Sequence, residues 1–186
     1  MGESSVIKPE IFYGVPYSSE KNLGKAYNDF ASLIPEGAWL CLMDADILPT
    51  TPDYGSLIEQ IIIEHPEVEA FTAMTNRVRC PWQLAPVDWD NDNIGYHRMV
   101  GAGLKATHGT RIEDMTQARV FSGFFLCIRK SLWSRIGGAK EAGMLGIDNN
   151  LHRRIRNAGA KLYLAKGLYF YHWYRGGDTN DTRHLI

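Results

Sequence analysis

Apolar residues fall in short blocks whose spacing changes along the chain. Residues 11–15 (Ile-Phe-Tyr-Gly-Val) form a brief apolar run halted by Pro16, and they predict a buried strand. From Glu20 to Ile34, the residues Leu23, Tyr27, Phe30 and Ile34 recur at steps of three and four, the period of an amphipathic helix, which Pro35 and Gly37 end. Residues 39–43 (Trp-Leu-Cys-Leu-Met) are continuously apolar, as in a strand covered on both faces. Thr51 as cap and Pro52 as first helical residue open a second helix, which buries Leu57, Ile58, Ile61 and Ile62 and ends near Pro66. Residues 68–74 read as another strand.

From 75 to 118 the period is lost, and a stretch of that length inside a compact domain is functional or mobile as a rule. Order returns with a strand at 120–128 and a helix at 131–136 closed by Gly137-Gly138. A further helix over 148–157 buries Leu151 and Ile155 and stops at Gly159. Two short strands at 161–165 and 168–172 follow, parted by Lys166-Gly167, and the polar tail 176–186 reads as loose. This alternation predicts an α/β sandwich with a mostly parallel sheet, in one compact domain over 1–186 without repeats or linker. In such sheets ligands sit beyond the carboxyl ends of strands.

Composition narrows the classes. The 186 residues are 45% hydrophobic with a net charge of −1, which gives no electrostatic footprint for nucleic acid. Cys41, Cys80 and Cys127 are odd in number and scattered, so reduced thiols of a cytoplasmic protein are expected rather than a disulfide frame. Residues 1–10 lack the basic-then-apolar order of a signal peptide, and no apolar run approaches the ~20 residues of a membrane span.

Candidate chemistry centres on Asp44-Ala45-Asp46, directly after the 39–43 strand. Residues two apart on extended chain point the same way, and paired carboxylates there suit a Mg²⁺ or Mn²⁺ ion that also binds phosphate oxygens. The same tripeptide fits a solvated turn. Asp148 opens a helix, where the macrodipole favours a carboxylate able to act as general base, although an N-cap is the plainer role. His172 ends a strand, where it could complete a metal shell with Asp46 or serve the structure alone.

Taken together, the order of these residues resembles the GT-A glycosyltransferases, especially the inverting family-two type. Asn22-Leu23-Gly24-Lys25-Ala26-Tyr27-Asn28 is similar to the Asn-X-Gly-X-X-X-Asn helix before the acidic motif. Leu42-Met43-Asp44-Ala45-Asp46-Ile47-Leu48-Pro49 is similar to the strand, Asp-X-Asp and proline. Ser122-Gly123-Phe124-Phe125-Leu126, Arg129-Lys130-Ser131 and Ile136-Gly137-Gly138 match the small-residue strand, basic turn and helix end. Asp148 to Gly159, then His172, match the acceptor-side helix and late histidine. The resemblance covers roughly residues 11–175.

The resemblance implies a GT-A α/β/α sandwich that moves a sugar from a nucleotide-diphosphate-sugar to a saccharide or other hydroxyl acceptor, with inversion and with Mn²⁺ or Mg²⁺. It implies that Asp46 binds the metal, with His172 as a further ligand and Asp44 at the ribose or a metal-bound water. Asp148 would take the acceptor proton. Val15, Pro16, Tyr17, Asn22, Lys25, Asn28, Asp44 and Ala45 would lie on the donor side. Trp82, Asp88, Trp89, Ile147, Asp148 and Trp173 would lie on the acceptor side, and Tyr174, Asp90 and Asp92 are further candidates there. Two departures stand out. Ile147-Asp148 replaces the usual acidic dipeptide, and Pro16 leads almost straight to Asn22, where the family has a further helix and strand with a nucleobase-binding aspartate. A non-catalytic nucleotide-sugar or glycan-binding domain is the alternative. A haloacid-dehalogenase-type phosphatase, with Asp44 as nucleophile, is a more distant one, since the Thr or Val and the later acidic pair of that family are missing.

Overall fold

The computed structural model describes residues 8–141 and 143–174. In chain order the elements are β1 (Ile11–Gly14), α1 (Leu23–Ser32), β2 (Trp39–Met43), β3 (Ile47–Pro49), α2 (Tyr54–Glu64), β4 (Ala70–Thr75), α3 (Ile94–His108), β5 (Ile112–Asp114), β6 (Phe125–Arg129), α4 (Lys130–Arg135), α5 (Ile147–Asn157) and β7 (Tyr163–His172). A 3-10 turn covers Pro81–Gln83.

The strands form one mixed seven-stranded sheet in the order β1-β2-β6-β4-β7-β3, with β5 also paired to β7. Pairing is parallel at β1–β2 and β4–β7 and antiparallel at the other joints. The alternation of strands and helices therefore reads correctly as α/β, but the balance of the sheet is antiparallel. The reason is that β3, β5 and β6 run opposite to β1, β2, β4 and β7. Helices cover the sheet, and Leu57, Ile58, Ile61 and Ile62 of α2 are buried in its core. Each such side chain contributes about 1.5–3 kcal/mol by leaving water.

Several element bounds differ from the sequence expectation. Helix α2 starts at Tyr54, because Thr51 and Pro52 form a turn in which Tyr54 N–H donates to Thr51 O, and Asp53 is the N-cap. Strand β6 begins only at Phe125. Ahead of it, the N–H groups of Phe121 and Ser122 bond to the side chains of Asn149 and Gln83 instead of a ladder. The two strands expected at the end are one, β7, with a register shift opposite Ala73 and Met74. Gly167 lies at that irregularity because a Cβ there would strike the Gly109 backbone.

The aperiodic stretch hides α3, the longest helix described, packed against β7. Its buried residues are His97 and Gly101 rather than aliphatic ones. Gly101 lets the helix touch Thr50, where a Cβ would collide with the hydroxyl. His97 lies between Tyr169 and Tyr171, with Nδ1 2.7 Å from Tyr169 Oη and Nε2 2.6 Å from Asn91 O. The tail 176–186 lies outside the described residues.

Candidate functional site

Asp44 and Asp46 sit where two ladders meet. The N–H of Asp44 extends the β2–β6 ladder, donating to Phe124 O at 2.9 Å. Two residues later the chain joins β7: Ile47 pairs with His172, and Trp173 N–H donates to Asp46 O at 2.9 Å. That register sets His172 Nε2 3.3 Å from Asp46 Oδ1. Ligand atoms of Asp44, Asp46 and His172 all fall within 4.8 Å of one another.

The proton on His172 can be placed from its partner. Nδ1 lies 2.9 Å from Arg77 O, and a carbonyl only accepts, so Nδ1–H donates. Nε2 is thereby turned toward Asp46, the arrangement of a metal-ligating histidine oriented by a backbone carbonyl. Either a proton or a cation fits between Nε2 and the carboxylate. Around a small divalent ion with ligands at about 2.1 Å, neighbouring ligands are about 3.0 Å and opposite ligands about 4.2 Å apart, so the group would draw together to hold one. Two carboxylates suit Mg²⁺ or Mn²⁺, and the imidazole moves the preference toward the transition ion.

Asp148, in the first turn of α5, lies over Gly123. A Cβ on Gly123 would be 2.5 Å from Asp148 Oδ1, so only glycine leaves room for the carboxylate. The amides of Gly123 and Asp148 itself favour the ionised form, but burial outweighs them and raises the carboxyl. Asp44 is pushed up to about 6, chiefly by burial and then by the Asp148 charge, with His172 acting the other way and Asp46 adding a smaller upward push. Asp44 and Asp148 thus share one field, which also reaches the buried Tyr27 phenol on α1. Burial raises that phenol first, and both carboxylates raise it further.

The supports of His172 come from the end of β4, in residues that carried no sequence signal. Asn76 accepts from His172 N–H at 2.7 Å and donates to His172 O at 3.3 Å. Arg77 is 2% exposed, and its guanidinium bonds to Trp89 O and to Asp92 Oδ1, the latter at 2.7 Å. Tyr171 Oη donates to the same Asp92 oxygen at 2.6 Å. Burial alone would raise Asp92, but Tyr171 and Arg77 outweigh it and hold the carboxyl below its usual range. A polar residue following β4 and a buried arginine are the only traces, and without the fold they read as loop.

The remaining candidates divide. Trp173 is half exposed and lines a cleft with Ala45 and Asp46. Val15 and Tyr17 are exposed just past β1. Asn22 accepts from Lys25 N–H as the cap of α1, and Lys25 pairs with Asp29 at 2.5 Å. Asn28 donates to Ala139 O and accepts from Ala139 N–H, while a Cβ on Gly24 would strike the Lys140 carbonyl. The Asn-X-Gly-X-X-X-Asn segment therefore seats the strap 137–141, where the Asn28 amide is engaged. Ile147 is 3% exposed and packs beside Gly24. Trp82 is exposed on the 3-10 turn, Asp88 is exposed with Oδ1 accepting from Asp90 N–H, and Trp89 is partly buried with its carbonyl on Arg77. Pro16 is partly buried. Cys41, Cys80 and Cys127 are buried free thiols, and no helix among the described residues is long and apolar enough to cross a membrane.

No protein-family model matches the sequence, and no curated protein matches it. Among solved structures, the chain is similar to the catalytic domain of Drosophila beta1,4-galactosyltransferase 7 in complex with xylobiose, with TM-score 0.47 and 13% identity over 83% of this chain and 50% of that one. It is also similar to a mutant of the Drosophila enzyme in complex with manganese, UDP-Gal and xylobiose, with TM-score 0.49 and 14% identity over 91% of this chain and 61% of that one. This chain thus spans between half and about three-fifths of those chains. At such values the likeness is one of outline, and the roles of residues here follow from the site's own geometry.

Proposed function

We propose that this chain is a metal-dependent glycosyltransferase domain of GT-A type, inverting, with a nucleotide-diphosphate-sugar as donor and a saccharide or other hydroxyl as acceptor. The observation that carries the reading is the meeting of Asp44, Asp46 and the oriented Nε2 of His172 within 4.8 Å, with Asp148 in the same electrostatic field. Asp46 and His172 hold the cation, Mn²⁺ in preference to Mg²⁺, and Asp44 completes the group. When bound, the cation supplies charge neutralisation to the departing diphosphate. Asp148 takes the proton from the acceptor hydroxyl, and its raised affinity for a proton fits that task. Gly123 keeps the carboxylate in place, and Asn76 and Arg77 fix the histidine. Val15, Pro16 and Tyr17, past the end of β1, lie on the donor side.

A second reading, a nucleotide-sugar-binding domain without turnover, draws on one observation. β1 is the outer strand of the sheet, so the donor side rests on that strand's end alone. One experiment tests both. Release of nucleoside diphosphate from a panel of nucleotide-sugars is followed with Mn²⁺ and with chelator, and nucleotide binding is followed by calorimetry. Transfer that needs Mn²⁺, is lost in Asp46→Ala, and is lost in Asp148→Asn without loss of donor binding supports the enzyme. Mn²⁺-dependent binding without release from any donor supports the second reading. Unchanged Mn²⁺-dependent nucleotide affinity in Asp46→Ala refutes the metal site.

A further inference from the structure

A cleft of ≈ 500 Å³ adjoins the acidic group and shares only Asp46 with it. Besides Asp46, it is lined chiefly by Leu48, Asp92, Ile94, Tyr171 and Trp173, a largely apolar wall with one fixed anion. That volume is the size of a small-molecule site. Leu48 and Trp173 are each 50% exposed, so the edge strand β3 and the residue after β7 both offer apolar surface to the cleft.

Asp92 gives the cleft its polarity. Among the described residues, its bonds from Arg77 and Tyr171 both end on Oδ1, which leaves the lone pairs of Oδ2 for a ligand. The side chain is held rigidly by those two donors and stays ionised. A ligand matched to this wall has one apolar face and hydroxyl donors along its rim. A pyranose ring has that form: its C–H groups pack on an indole, and its hydroxyls donate to a carboxylate.

We infer that this cleft is a saccharide subsite. A pyranose ring lies with its C–H face against Trp173 and Leu48 and donates a hydroxyl to Asp92 Oδ2. Asp46 borders both the cleft and the cation group, so a sugar held here extends from the reacting centre and belongs to the acceptor. In assigning the sugar to the acceptor, the inference rests on the glycosyltransferase reading; the binding itself does not. Arg77 links the two sites, since its side chain holds Asp92 while its carbonyl holds His172.

The test uses the full chain and cellobiose as probe, by saturation-transfer difference NMR with chelator present, so that neither donor nor metal is needed. The expected result is transfer to the ring C–H protons of wild type, and about a tenfold loss of affinity, near 1.4 kcal/mol, in Trp173→Ala and in Asp92→Asn. Leu48→Glu, on an exposed edge position, keeps the fold and abolishes the signal. Mn²⁺ binding, read by electron paramagnetic resonance, is retained in Leu48→Glu, since Leu48 is not one of the cation group's residues. No signal from wild type at 10 mM probe, or equal signals from wild type and Leu48→Glu, overturns the subsite. Binding that depends on these residues in a protein that releases no nucleotide keeps the subsite and removes the enzyme reading. Transfer to a saccharide that is unaffected by Leu48→Glu does the reverse.

Discussion

Replacing Asp44 by asparagine should make the metal-free protein more stable at neutral pH, although it removes a carboxylate of the proposed metal group. Asp44 is pushed from 3.8 up to about 6 in the folded chain, by burial first and by the Asp148 charge second. A raised carboxyl pKa means that the native state keeps its proton longer than the unfolded chain does. Unfolding then releases a proton between about pH 4 and pH 6, so stability falls as pH rises through that window and is flat above it. A shift of roughly two units at 1.36 kcal/mol per unit gives at most about 3 kcal/mol. Roughly 1.4 kcal/mol of this falls between pH 5 and pH 8, since the unfolded carboxyl has lost much of its proton already at pH 5. Asp44→Asn has no such titration.

The assay is urea unfolding of wild type and Asp44→Asn at pH 5 and pH 8 with chelator present. Comparing the pH change of one protein with that of the other cancels the remaining groups that titrate alike in both. Wild type should lose roughly 1.4 kcal/mol more than the variant on going to pH 8. Adding Mn²⁺ at about a hundred times its dissociation constant should then return about 2.7 kcal/mol to wild type and much less to the variant. Equal pH dependence in the two proteins, within about 0.5 kcal/mol, refutes the claim that Asp44 is a desolvated neighbour of Asp148.

Three further outcomes follow from the same geometry. Gly123→Ala places a methyl where Asp148 Oδ1 now lies, and it should lower transfer by about a hundredfold with nucleotide affinity unchanged, as measured by steady-state kinetics beside calorimetry. Asn76→Ala removes both bonds to the His172 backbone and should weaken Mn²⁺ binding by about 10–100-fold; the ligand-field spectrum of the Co²⁺ form reports whether the imidazole has left. Ile61→Ala, at a fully buried position of α2, should cost about 2–5 kcal/mol in urea unfolding with Mn²⁺ affinity retained.

The parts of the chain that sequence makes legible are those with an apolar run or period. β2 announces itself as an unbroken apolar run, α1 and α2 through apolar residues at steps of three and four, and Asp148 stands where the last helical pattern begins. α3 was hidden because close approach, not side-chain volume, joins it to β7: Gly101 meets Thr50, and a histidine fills the space between two tyrosines. β3 was hidden because three residues carry no period. Asn76 and Arg77 were hidden because their work is done through a side-chain amide and a backbone carbonyl, which composition does not mark. Asn28 shows the opposite case: its motif was visible, but the structure gives it to the strap at Ala139.

The spacing of Asp44 and Asp46 has a different physical origin from the one the sequence suggests. Alternation along extended chain would point both carboxylates one way, yet the segment is a turn between strands that are not neighbours in the sheet. Asp44 is the last residue of the ladder to β6, and Asp46 bonds at the start of the ladder to β7. Each carboxylate is therefore fixed by a different strand, Asp44 beside Gly123 and Asp148, Asp46 beside His172. The single residue between them sets how closely the two ladders draw these groups together. The motif works as a bridge between two halves of the site, which is why a common tripeptide gains its meaning only from the register on either side.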